Sequence, residues 1–266
     1  MKFKKDFLFN YLTEAPVALA MERSMECEIL SREDFKRPIL DLGCGEGLFS
    51  YILFDEKIDA GIDPNAYEIE RASAYGIYNE LIECGGDKIP KEPNSFNTIF
   101  SNSVLEHIKG LDAVLKEAHR ILACGGKFYV TIPTDVFDHY SIAYQTLTFL
   151  RLKGLAEKYR LFFDKFWKHY NYYNEEGWRE RFEKAGFKVL KVKKYNNKRT
   201  CLLDDMLVPF SMPSFVVKKI FNRWFLFKSL RRMYAPLLYL MYKRLLSVDC
   251  EDGMNCGLLF FCLTKD

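Results

Sequence analysis

Ile39-Leu40-Asp41-Leu42-Gly43-Cys44-Gly45-Glu46-Gly47-Leu48-Phe49-Ser50 is the stretch on which the reading of this chain turns. A short, mostly apolar run breaks into glycines at alternate positions and then turns apolar again, so it reads as a strand, a tight loop and the start of a helix. Such glycines admit positive φ and let a ligand approach the backbone, while the first turn of the helix offers unpaired N–H groups. A loop of this kind suits a polar cofactor; a glycine turn with no ligand is the alternative reading of the same residues.

The spacing is Gly-x-Gly-x-Gly rather than the Gly-x-Gly-x-x-Gly of dinucleotide enzymes, and Asp41 stands two positions before the first glycine. A pyrophosphate wants a bare helix N-terminus, whereas an acid suits a ligand with a cationic amino group beside its carboxylate. Downstream, strand-like runs alternate with amphipathic stretches, the pattern of a parallel sheet with crossover helices. The second run, Asp59-Ala60-Gly61-Ile62-Asp63-Pro64, ends in an acid about twenty residues after the loop, where a carboxylate can take both hydroxyls of a ribose. Asp63 also suits the N-cap of a helix beginning at Pro64. The third run, Leu81-Ile82-Glu83-Cys84, leads to Gly85-Gly86-Asp87, whose carboxylate can accept from an exocyclic amine. A fourth strand, turn and helix start follow in Phe96-Asn97-Thr98-Ile99-Phe100-Ser101-Asn102-Ser103-Val104-Leu105-Glu106-His107-Ile108, and a fifth strand in Cys124-Gly125-Gly126-Lys127-Phe128-Tyr129-Val130-Thr131-Ile132-Pro133.

Glycine loop, Gly-Ile-Asp, Gly-Asp and Ser-Asn-Ser-Val-Leu-Glu-His-Ile, in that order, resemble the class I S-adenosylmethionine-dependent methyltransferases of the UbiE-like, type 11 group. The helix from Glu175 to Ala185, the Ala-Gly-Phe turn after it and a last strand at Gly257–Leu263 are similar to that family too, so the resemblance covers about residues 37–133, 175–195 and 257–266. It implies an α/β fold, a doubly wound Rossmann-like sheet of seven strands with the last antiparallel, and S-adenosylmethionine as cofactor with S-adenosylhomocysteine as product. It also implies roles: Asp41, Gly43, Gly45 and Gly47 around the methionine end, Asp63 on the ribose, Asp87 near the adenine, and Ser101 and Asn102 beside the methionine portion. Asn97, where the family usually has Asp, departs from the pattern and is read as structural; Cys124 replaces a proline that the family often has.

At 266 residues the chain holds one α/β domain with insertions. A net charge of +3 argues against nucleic-acid binding driven by bulk electrostatics. Eight cysteines without a Cys-x-x-Cys pair suggest reduced thiols in a cytoplasmic protein and no zinc site, and methyl transfer from a sulfonium requires no metal. The N-terminus lacks the apolar core of a signal peptide, and no run of about eighteen uncharged apolar residues predicts a spanning helix.

Residues 1–36 read as two short helices separated by Pro16. The aromatic residues, 16% of the chain, concentrate in 134–174, where helical periodicity over Ile142–Leu152 and Leu155–Trp167 predicts a lid over the carboxyl ends of the strands, or a second small core. His139 and His169 lie there and are the candidate proton acceptors; for either, a structural role is the alternative. A second insertion spans 197–256. Between Met206 and Val248 it carries eight Lys or Arg and no Asp or Glu among large apolar residues, with Pro209, Pro213 and Pro236 expected to divide it into pieces. Such a basic amphipathic stretch binds an anionic membrane surface, on the inner face for a peripheral cytoplasmic protein. A helical pair packed on the sheet or in a homodimer contact is the competing reading. The expectation is therefore a methyltransferase acting on a hydrophobic or lipid-linked small molecule at a membrane surface; the alternatives are a soluble enzyme of sugar or secondary metabolism and a non-catalytic scaffold of the same fold.

Overall fold

A computed structural model describes residues 1–221, 223–244 and 256–266. The order is α1 (Phe7–Glu14), α2 (Val17–Leu30), β1 (Ile39–Leu42), α3 (Leu48–Leu53), β2 (Ile58–Asp63), α4 (Ala66–Ser73), β3 (Tyr78–Glu83), β4 (Phe96–Asn102), α5 (Leu111–Ile121), β5 (Leu122–Pro133), α6 (Ile142–Phe149), α7 (Lys153–Trp167), α8 (Glu175–Lys184), β6 (Lys188–Asn197), α9 (Lys198–Phe221), α10 (Lys228–Tyr242) and β7 (Cys256–Thr264). The strands form one sheet in the order β3-β2-β1-β4-β5-β7-β6, with β1 to β5 parallel and β7 antiparallel to both of its neighbours. This is the doubly wound sheet with an antiparallel last strand that the sequence predicts.

The strands point alternate residues to opposite faces. Leu40 and Leu42 of β1 join Leu115 of α5 and Trp178 and Phe182 of α8 in one core, whereas Ile39 belongs to the other, with Tyr11, Leu12 and Met21 of the first two helices. Trp178 is fully buried, and its indole N–H donates to the carbonyl of Pro133 at 3.2 Å, which ties α8 to the end of β5. β6 runs as far as Asn197 because it pairs with β7 up to Asn197 opposite Cys256.

Two expectations for the second insertion change. Pro209 and Pro213 lie within α9 and Pro236 within α10, so the break falls after Phe221 instead of at the prolines. α9 is also, by length and composition alone, apolar enough to cross a membrane, with a mean hydropathy of 1.3 over its best window, where no such segment was expected. Yet Thr200, Cys201, Asp204, Leu207 and Ser211 are buried, and the backbone N–H of Ala18 in α2 donates to the Ser211 hydroxyl at 3.4 Å, so one side of α9 is docked on the domain. Positions 222 and 245–248 of the basic stretch lie outside the described residues. Cys27, Cys44, Cys84, Cys124, Cys201 and Cys262 are free thiols, but Cys256 is disulfide-bonded, which departs from the all-reduced expectation.

Candidate active site

The glycine loop bends because β1 ends at Leu42 and its next two N–H groups, of Gly43 and Cys44, both donate to the carbonyl of Ile62 in β2, at 3.0 and 2.8 Å. Gly43 has φ +84°, and a Cβ there would sit 2.5 Å from Val104, so this glycine holds the loop against the turn after β4. Gly45 has φ +50° and no heavy atom near the place of a Cβ, so its backbone borders open space. Gly47 closes the loop as the N-cap of α3.

Asp41 lies beneath this loop. Only 3% of it is exposed, and Oδ2 accepts from Ser50 at 2.5 Å and from Tyr78 at 2.8 Å. Burial pushes its carboxyl up to about 7, against the pull of the two hydroxyl donors. Its visible work is to brace the loop on α3 and β3. Asp63, at the carboxyl end of β2, accepts from the backbone N–H of Gly45 at 3.1 Å and of Asn65 at 2.9 Å. The cap of α4 is Asn65, which accepts from Tyr67, so the helix-cap reading of Asp63 falls away. Asp87 is exposed on the loop after β3.

Ser101 and Asn102 are held inside. The Ser101 hydroxyl donates to the carbonyl of Leu42 at 3.0 Å, which stitches β4 to β1. Asn102 donates to Glu26 at 2.8 Å and accepts from Thr131 at 2.8 Å. Glu26 of α2 is fully buried and also accepts from Arg23, Ser103 and Tyr195. Three segments, α2 itself, the end of β4 and β6, thus converge on one buried carboxylate, a charge arrangement that costs desolvation and is repaid only by this full set of donors. Neither Glu26 nor Arg23 was singled out from the sequence. The signal was there, since Glu22, Arg23, Glu26 and Glu28 put four charges into a largely apolar helix, but only the strand ends met by Arg23 and Glu26 make it legible.

Beyond Glu46 and Ser103 opens a cavity of about 520 Å³. Phe137, Tyr159, Phe163 and Trp167 of the first insertion and Phe215 and Trp224 of the second line its apolar side; Arg23, Glu106, His107 and His169 are at its polar side. The second insertion reaches the glycine loop directly: Lys218 and the Trp224 indole donate to Glu46, both at 2.9 Å, and Arg71 pairs with the same carboxylate. Burial lowers the Lys218 ammonium to about 8.

The two candidate histidines separate. His169 lines the cavity, and burial lowers its pKa to about 4, so it is neutral at pH 7. His139 is not among the lining residues; it stacks on Tyr144 with ring centroids 4.7 Å apart and lies 3.8 Å from Asp138. His107, in the turn after β4, stands beside His169 at 5.2 Å between centroids and becomes part of the site. His119 packs on Phe187.

A family model described as a methyltransferase domain matches residues 21–192. The chain belongs to this family. The resemblance to class I S-adenosylmethionine-dependent methyltransferases therefore holds at the level of the family, and the matched span runs from α2 into β6. Among curated relatives, a sterol 24-C-methyltransferase of Aspergillus fumigatus is 34% identical over 113 residues, 38% of this chain and 29% of that protein. A malonyl-[acyl-carrier protein] O-methyltransferase of Legionella pneumophila is 28% identical over 115 residues, 41% of this chain and 40% of that one. The matched stretch thus spans well under half the length of either relative. Among solved structures, a methyltransferase of Thermotoga maritima described as a possible histamine N-methyltransferase superposes with a TM-score of 0.55 at 15% identity, covering 94% of this chain and 92% of the other. That likeness is one of fold.

Proposed function

We propose that this chain transfers a methyl group from S-adenosylmethionine to a hydrophobic, lipid-like acceptor, working against an anionic membrane surface. The observation that carries the reading is the aromatic cavity that begins where the glycine loop ends. Gly45 borders open space where a ligand can approach the backbone closely, Asp63 offers a carboxylate at the place of a ribose, and Asp87 offers one at the place of an adenine edge. Asp41 and Ser101 keep the loop and the strand ends in register, and Arg23, at the cavity wall, is held by Glu26 and Glu22. The sulfonium, when bound, supplies an electrophilic methyl group; the chain's part is to align an acceptor in line with it and to exclude water.

The acceptor side favours an apolar molecule because aromatic side chains from both insertions line much of it. The curated relatives named as sterol and acyl-carrier methyltransferases support the same class. For the membrane surface, the outer faces of the insertions give the support: Phe210, Ile220, Phe227, Met233, Leu237 and Leu240 are each more than 60% exposed. Lys219, Arg223, Arg232, Lys243 and Arg244 are exposed among them, whereas Lys218 is bound to Glu46 and Arg231 is buried with hydrogen bonds to Leu12 and Ala15. An apolar face ringed by cations is the composition of an interfacial helix.

Sedimentation with vesicles tests this reading. The chain should pellet with phosphatidylglycerol-containing vesicles and not with neutral ones, and replacing the five exposed basic residues by Glu should release it, at roughly 1 kcal/mol per residue. Equal pelleting of that variant removes the membrane from the proposal. With labelled S-adenosylmethionine and a crude cell extract, label should enter the organic-phase fraction; label confined to the aqueous phase removes the lipid-like acceptor.

A further inference from the structure

At the polar end of the acceptor cavity, Glu106, His107 and His169 bring one carboxylate oxygen and two ring nitrogens within 4.8 Å of one another. Backbone hydrogen bonds hold them there. The N–H groups of Tyr170 and Asn171 donate to the carbonyl of Glu106 at 2.8 and 3.1 Å, and the Asn171 amide donates to the carbonyls of Leu105 and Ile108 at 2.9 and 2.6 Å. The end of the lid is thereby fastened to the turn after β4, and His169 is set beside His107.

The ring of His107 is oriented as well. Its Nδ1 lies 3.2 Å from the carbonyl of Lys168, an oxygen that can only accept, so Nδ1 carries the proton and Nε2 presents a lone pair. That lone pair lies 3.7 Å from Oε1 of Glu106. Glu106 is 2% exposed, and its Oε2 has no hydrogen-bond partner. An unpartnered buried carboxyl oxygen and, on the adjacent residue, a ring nitrogen without a proton form a donor set that a cation can complete. A histidine that gives its other ring N–H to a backbone carbonyl is the arrangement found in metal ligation.

We propose that Glu106, His107 and His169 bind a divalent transition-metal ion, with zinc or manganese as the class, through two imidazoles and one carboxylate. Three protein ligands leave coordination positions that face the cavity, where the ion can take an oxygen of the acceptor. Ligands about 2.0–2.2 Å from one ion stand closer together than 4.8 Å, so the two rings draw in on loading. An ion there holds an acceptor hydroxyl as its alkoxide or phenolate: the O–H proton leaves to solvent, the oxygen lone pair forms the bond to the methyl carbon, and the C–S bond breaks with its electrons on sulfur. The acceptor class is thereby narrowed to hydrophobic alcohols, phenols or enols. This step rests on the methyltransferase reading above, whereas the metal site does not.

Calorimetry of the purified full chain with Zn²⁺ and Mn²⁺, with metal content after dialysis and the visible spectrum of the Co²⁺-loaded chain, tests the site. One ion per chain is expected, with a Co²⁺ spectrum free of thiolate charge transfer, since cysteines compete for zinc. His169→Ala and Glu106→Gln should each weaken binding by roughly 100-fold or more, while His119→Gln leaves it unchanged. Binding of S-adenosylhomocysteine serves as the folding control for every variant. Absence of stoichiometric binding, a thiolate spectrum, or equal affinity in His169→Ala with intact S-adenosylhomocysteine binding overturns the metal site and leaves the methyltransferase reading standing. Loss of S-adenosylhomocysteine binding by the unmodified chain would strike that reading instead.

Discussion

The two walls of the central cleft are built in opposite ways. The proposed cofactor wall comes from three consecutive strand ends, each closing in glycine or an acid, and its hydrogen bonds join these strands to one another: Gly43 and Cys44 to Ile62, Gly45 to Asp63, Tyr78 to Asp41. The acceptor wall is assembled from the lid, α2 and α9, whose side chains meet only after folding; Lys218 reaches Glu46 across 172 positions. A wall made of short motifs tolerates little change in sequence or geometry. A wall made of aromatic surfaces can exchange one apolar side chain for another and still exclude water.

The contrast is sharpest at Gly43 and Gly45. Gly43→Ala places a Cβ 2.5 Å from Val104 at a φ of +84°, and should cost roughly 2–4 kcal/mol of stability and abolish cofactor binding. Gly45→Ala meets no neighbour, so urea unfolding should register only about 1 kcal/mol, while binding of S-adenosylhomocysteine falls through occupation of the ligand's space. Equal unfolding losses at the two positions would break the distinction between a packing glycine and a ligand-facing one.

Asp63→Ala removes a charged hydrogen-bond acceptor from the cofactor wall and should weaken S-adenosylhomocysteine by about 1.5–3 kcal/mol. Phe163→Ala, on the acceptor wall, should leave that affinity within about twofold and reduce the binding of a hydrophobic fluorescent probe instead. If both substitutions changed S-adenosylhomocysteine affinity alike, the walls would not be separate.

A separate contrast concerns pH. Asp41 in the folded chain titrates at about 7, above its ordinary 3.8, so between these values the native state binds more protons than the unfolded state. Stability from this group is therefore greatest below pH about 4 and declines as pH rises toward about 7, at up to about 1.4 kcal/mol per pH unit. Asp41→Asn should flatten that slope in chemical unfolding series; parallel curves would show that Asp41 ionises normally.

Legibility followed the same division. The positions of Gly43, Gly45, Gly47, Asp63 and Asp87 at the ends of β1, β2 and β3 could be read from spacing, because a strand, a turn and a helix start each fix their neighbours within a few residues. Asp41, Ser101 and Asn102 were also on the page, but their inward hydrogen bonds to Ser50, Leu42, Glu26 and Thr131 were not. Spacing shows where a side chain starts and says nothing of what packs above it. Glu26 and Arg23 were passed over as part of an apolar helix. His139 and His169 looked equivalent in an aromatic stretch, and only the fastening of Asn171 to Leu105 and Ile108 distinguishes them. The prolines of α9 misled, since docking of that helix on α2 and β6 outweighs the cost of an interior proline.

The most direct test of the central claim is titration calorimetry of the purified chain with S-adenosylhomocysteine. Saturable binding of one ligand per chain, weakened in Asp63→Ala and retained in Phe163→Ala, is the predicted result. A flat titration with a folded chain would contradict it.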